Sequence, residues 1–144
     1  SFNVHEGAKS HGGIYVTFGG GGVVCKSYKM KVVPKSTAES ELNVLSDATS
    51  LLVHDREFAI ESQIIDGKDE VIIYEDNEAA IHLVKNGKSN IALRHFFGKR
   101  YLDDGTFHLV HCPTEDTTAD ILTKPLQGPQ LFKLRALALG HAAP

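Results

Sequence analysis

The chain has 144 residues, 42% of them apolar, and a formal net charge of −3. That suits a single domain over residues 1–144 with an ordinary core, and it excludes a strongly basic nucleic-acid clamp, so any polyanion contact must be local. The longest apolar run is far short of a membrane span and the N-terminus lacks a basic-then-apolar leader, which points to a soluble intracellular setting with no membrane partner.

Residues 12–18 and 23–28 are β-rich runs separated by Gly19 to Gly22, the pattern of a hairpin with a permissive turn. The glycines lack the lysine and the following helix of a phosphate-binding loop. Cys25 and Cys112 have no metal-ligand spacing and read as two small buried thiols, with one bridge left open by the sequence alone. Lys26, Lys29, Lys31 and Lys35 are the one basic concentration, read equally well as a strand's wet face or as a nucleic-acid contact.

Ser36-Thr37-Ala38-Glu39 matches a capping box, and Leu42, Leu45, Thr49 and Leu52 continue at helical spacing, so a long helix is predicted to about Ile65. An apolar strand at 71–75 leads into a helix over 77–85, closed by Asn86-Gly87. Residues 94–102 read as helical, Asp103-Asp104-Gly105 as a turn, and 106–111 as a strand with one polar face. A helix at 118–123, a break at Pro125 and an amphipathic helix at 130–139 complete the chain. A hairpin followed by alternating helices and strands is α/β or α+β.

Three carboxylates stand where such a fold places chemistry. Asp76 follows the apolar strand and precedes a helix, Glu41 lies just inside the long helix, and Asp120 opens the short one. Carboxylates converging from separate elements suit magnesium, a hard ion that prefers oxygen ligands. The plain alternative is that Asp76 and Asp120 merely begin helices, where negative charge is favoured. Of Glu39 and Glu41, Glu39 already has a role as the capping partner, which leaves Glu41 as the ligand. No two of the eight histidines have the spacing of a zinc pair with a third ligand.

Three blocks, 35–42 (KSTAESEL), 73–81 (IYEDNEAAI) and 110–126 (VHCPTEDTTADILTKPL), resemble the ribonuclease H domain of copia-type retrotransposon polyproteins, and with 9–13 (KSHGG) the likeness covers nearly the whole chain. The resemblance implies a ribonuclease H-like α/β fold, a five-stranded mixed sheet flanked by helices. It implies endonucleolytic cleavage of the RNA strand of an RNA–DNA hybrid, with Glu41, Asp76 and Asp120 meeting in one pocket as catalytic and metal-binding residues. The cofactor would be magnesium, with manganese as the alternative ion, in a pair about 4 Å apart. Lys35, Asn77, Arg94 and His111 are the candidate substrate contacts. The partners would be the hybrid and the reverse transcriptase domain of the same polyprotein, in the cytoplasm, a virus-like particle or the nucleus.

Two departures accompany the likeness. The family's first catalytic aspartate falls just ahead of the position matched by Ser1, so the first central strand is expected to be largely missing or shortened, with Ser1 to Val4, a second copy or a strand-donating partner completing the sheet. The segment between Lys88 and His95 is shorter than the family's basic stretch. The alternatives are a domesticated or catalytically impaired remnant acting as a binding or interaction module, and a general α/β domain with another ligand. Asp47, Asp55 and Glu75 read as solvated flanks of helices and strands rather than substitutes.

Overall fold

The computed structural model describes residues 9–86 and 99–141. They fall into two compact units, residues 1–40 with 112–144 and residues 41–111. The first is called the hairpin unit below and the second the parallel-strand unit. Both carry strands and helices, so the chain is mixed α/β.

In the hairpin unit, β1 (His11–Phe18) pairs antiparallel with β2 (Gly21–Lys29). Gly19, at φ +60°, takes the left-handed backbone that a two-residue hairpin turn needs at its first position. The register places Gly13 opposite Ser27 and Tyr15 opposite Cys25 on one face, with Gly12 opposite Tyr28 and Ile14 opposite Lys26 on the other. The first face meets the C-terminal segment. Ser27 donates to the Leu122 carbonyl at 2.7 Å, and the Tyr15 hydroxyl donates to the Ala138 carbonyl. Gly13 is required there, since a Cβ at that position would stand 2.6 Å from Thr123 Cγ2 and 3.1 Å from the Ala119 carbonyl oxygen. Two short 3-10 turns, Thr114–Asp116 and Thr118–Leu122, precede helix α3 (Gly128–Ala138). A Lys133–Asp116 ion pair at 2.5 Å and a bond from Gln130 Nε2 to the Glu115 carbonyl tie α3 to the first turn.

Three expectations change in this unit. The predicted helix at 118–123 is a 3-10 turn, because its amides reach back three residues: Asp120 N–H to the Thr117 carbonyl and Thr123 N–H to that of Asp120. The Cys25 thiol is exposed rather than buried, on a strand whose one strand neighbour among the described residues is β1, and Cys112 is only half-buried; both are free. Lys26 and Lys29, three apart on a strand, point to opposite faces and do not form one basic stripe.

Helix α1 (Thr37–Glu61) begins in the hairpin unit and continues through the boundary after Ser40. Its start is the predicted cap: Glu39 N–H donates to Ser36 Oγ at 3.1 Å, while Glu39 Oε2 accepts from Lys35 N–H at 2.6 Å, one residue further back than in the standard box. Its end comes four residues before Ile65. Gln63 adopts φ 59°, Gln63 N–H bonds the Ile60 carbonyl and Ile64 N–H bonds that of Ala59, which is a Schellman closure with glutamine where glycine is usual.

In the parallel-strand unit, β3 (Val71–Glu75) pairs parallel with β4 (Phe107–His111). Between them lie α2 (Glu78–Asn86) and the helical residues 99–103. Alternation decides which side is covered. Val71, Ile73, Phe107 and Leu109 join Leu45, Leu52 and Val53 of α1, Ile81 and Val84 of α2, and Tyr101 and Leu102 in one cluster. Tyr101 stacks on Phe107 with ring centroids 5.1 Å apart, as expected for a core aromatic. The opposite face presents Ile72, Tyr74 and Val110, all exposed. The described strands form two two-stranded sheets rather than one sheet of five. Phe96, Phe97 and the first part of the predicted 94–102 helix, like Ser1 to Val4 and the segment from Lys88 to His95, lie outside the described residues.

Candidate active site

The acidic neighbourhood forms where parallel strands end together. β3 stops at Glu75 and β4 at His111, which are register partners, and Asp76 follows at once. Carboxyl ends of parallel strands are where open α/β sheets gather functional groups, because the chain turns there into loops and helix starts. The turn is held by its own side chains. Asn77 N–H donates to Glu75 Oε1 at 3.0 Å, and Asn77 Oδ1 accepts from Ala80 N–H at 3.1 Å as the cap of α2. The first of these bonds spans Asp76, and the second closes the helix start that follows it.

Glu41, in the second turn of α1, belongs to the same electrostatic group. Burial is the first cause that pushes the Glu75 carboxyl up from its ordinary 4.5 to about 7, and the negative charge of Glu41 is the second. The Asn77 N–H opposes the rise, while the charge of Asp76 and a hydrogen bond with its carboxyl add to it. Glu41 and Asp76, chosen from the sequence, thus both act on Glu75, which the sequence reads as a strand flank. Its pairing position was visible in the sequence; its burial was not.

Asp120 belongs to the hairpin unit. It is 8% exposed and is the central residue of the second 3-10 turn, and Lys124 Nζ lies 2.6 Å from its Oδ2. Among the candidate substrate contacts, Lys35 is exposed and commits its backbone N–H to Glu39. Asn77 is the α2 cap, His111 is exposed at the end of β4, and Arg94 lies outside the described residues.

The donor chemistry fits a hard divalent cation. Glu41, Glu75 and Asp76 offer only carboxylate oxygens, and the charges of Glu41 and Asp76 both raise the cost of ionising Glu75. As the side chains stand, no group of three His, Cys, Asp or Glu among the described residues is arranged to hold a metal ion. No described helix is long and apolar enough to cross a membrane.

Among curated proteins, the chain is similar to the retrovirus-related Pol polyprotein from transposon TNT 1-94 of Nicotiana tabacum, with 27% identity over 124 residues. Those residues are 83% of this chain and 9% of that polyprotein, so the likeness is to one stretch of a much longer retrotransposon product. No profile of a known protein family matches the chain. No solved structure matches it either.

Proposed function

We propose that the chain is a ribonuclease H-type nuclease domain of a copia-like retrotransposon polyprotein, acting on the RNA strand of an RNA–DNA hybrid. The observation that carries the reading is that the carboxyls of Glu41 and Asp76 both act on Glu75, which ends β3 beside the end of β4. Similarity to a retrotransposon polyprotein supports the biological setting. The order of the described strands also suits the reading, since an antiparallel hairpin precedes a parallel pair joined through a helix.

In this reading Glu41, Asp76 and Asp120 are the metal-binding carboxylates, with magnesium as the ion and manganese as its substitute. When bound, the ions would supply Lewis-acid stabilisation of the scissile phosphate and a more acidic attacking water. The protein's own part is positioning. The Glu75–Asn77 bond spans Asp76 just past the end of β3 and the Asn77–Ala80 bond caps the helix that follows, and a carboxylate held by such a turn loses less freedom on engaging a ligand. In this reading His111, exposed at the end of the neighbouring strand, would meet a phosphate or carry a proton. The other partners in this reading are the reverse transcriptase domain of the same polyprotein and a strand supplied by a second copy or another protein.

The test is cleavage of a hybrid labelled on its RNA strand, with and without magnesium. Magnesium-dependent cleavage that Asp76→Asn abolishes supports the nuclease. Hybrid binding without cleavage would instead favour the impaired remnant, and neither binding nor cleavage would remove the nucleic-acid reading altogether.

A further inference from the structure

The formal charge of the chain conceals two units of opposite sign. Residues 1–40 with 112–144 carry eight lysines and arginines against five acids, and residues 41–111 carry seven against thirteen, so the −3 of the whole joins a unit of +3 to one of −6. Within the hairpin unit Glu39 is committed to the α1 cap, Asp116 to Lys133 and Asp120 to Lys124. Among the described residues no carboxylate forms an ion pair with Lys9, Lys29 or Lys31. Strand alternation gathers these lysines on one face. At the open end of the hairpin Ser10, Gly12, Ile14 and Met30 are buried, and the Met30 N–H donates to the Ser10 carbonyl at 2.9 Å, one pair beyond His11 and Lys29. His11 and Lys29, register partners, therefore lie on the other face, and Lys9 and Lys31 are the next positions of the same alternation. The C-terminal segment meets this face at Gly13 and Ser27 and leaves Lys29 exposed. Ser27 spends its hydrogen on the Leu122 carbonyl at 2.7 Å, so His11 Nε2 is the donor to Ser27 Oγ at 2.8 Å, and this pair fixes the rim of the opening.

We propose that this open end of the hairpin grips the sugar–phosphate backbone of a nucleic acid, with Lys9, Lys29 and Lys31 as phosphate contacts. Positions two apart on a strand lie about 6.7 Å apart, close to the separation of neighbouring phosphates along a nucleic-acid strand, so lysines at alternate positions meet successive phosphates. Ammonium groups with no carboxylate paired to them are also the ones that release counterions from a phosphate chain on binding. Such contacts position a nucleic acid without reading its sequence. The inference goes beyond the nuclease reading: it shares the nucleic-acid partner, needs neither metal nor cleavage, and concerns lysines to which that reading gives no part. It also locates the polyanion contact that the chain's net charge requires to be local.

The experiment is fluorescence anisotropy of a labelled RNA–DNA hybrid titrated with the full chain in EDTA, at several salt concentrations. The parent should bind with an affinity that falls steeply as salt rises. Lys9→Gln combined with Lys29→Gln should weaken binding about tenfold at about 100 mM salt and flatten the salt slope by about 2, one for each lost phosphate contact. Lys29→Arg keeps the charge and should bind as the parent does. Lys26→Gln is the control, since Lys26 stands on the opposite face of the same strand, over the Tyr28 ring at 4.8 Å, and it should change neither quantity. An unchanged double variant, or a loss in Lys26→Gln as large as that of the double, would overturn the inference. So would a parent that fails to bind the hybrid, or one that binds poly-glutamate as tightly, which would assign the face to acidic protein instead. Binding with the expected pattern but no magnesium-dependent cleavage keeps the grip and removes the nuclease; cleavage by a chain whose double variant binds as the parent does is the reverse.

Discussion

Glu75→Gln is expected to stabilise the protein in alkaline but not in acid solution. The folded Glu75 carboxyl titrates near 7 and the unfolded one near 4.5. Between those values the folded state therefore holds more protons than the unfolded state, and stability falls as pH rises. The loss is absent below about pH 4.5 and complete above about pH 7. At 1.36 kcal/mol for each pH unit, the separation of 7 and 4.5 sets a ceiling of about 3.4 kcal/mol on the cost of ionising Glu75 in the fold. Glutamine keeps an oxygen for the Asn77 N–H and offers a donor to Asp76, so it removes the charge and little else. Urea unfolding of both proteins at pH 4 and pH 8 measures the difference. The mutant should exceed the parent by about 2–3 kcal/mol at pH 8, with the gap closing toward zero at pH 4. A gap of the same size at both pH values would refute charge crowding as its cause.

Gly13→Ala should cost about 1–3 kcal/mol, because the new methyl would press on Thr123 Cγ2 and the Ala119 carbonyl; thermal unfolding reads the loss, and an unchanged midpoint would mean that β1 does not sit that close to the turn. Gln63→Gly should raise stability by up to about 1 kcal/mol by relieving the left-handed backbone at the end of α1, with glycine's greater unfolded freedom setting the limit. Asn77→Ala removes the oxygen that caps α2 and should cost about 1 kcal/mol, and Asn77→Asp should restore most of it. Truncating Phe107, 1% exposed beneath Tyr101, to alanine should cost about 3–5 kcal/mol by chemical denaturation.

The elements that sequence reasoning finds are those whose signal is local. Ser36 and Glu39 declare the start of α1, Asn77 declares α2, and Gly19 declares the hairpin, because each satisfies or permits a backbone state within a few residues. The end of α1 escapes because glutamine, not glycine, takes the left-handed position. The turn at 118–122 looks helical from its composition, and only the hydrogen-bond reach distinguishes it. Cys25 shows the limit of residue-type averages, since a thiol is buried by its neighbours and Tyr15 across the hairpin leaves this one exposed. The candidate site divides in the same way. Asp76 is marked by its place between strand and helix, whereas the protonation of Glu75 depends first on its burial and then on Glu41, 34 positions earlier in the chain.

Parallel strands in most folds are shielded on both sides, yet here Ile72, Tyr74 and Val110 stand bare beside one another across the ribbon. Such a greasy, flat strip is a nucleus for clumping in concentrated solution. Yield and shelf life of the purified chain will thus hinge on these three positions, and threonine in place of Ile72 or Val110 is the mildest remedy, keeping the branched shape a strand favours while wetting its surface.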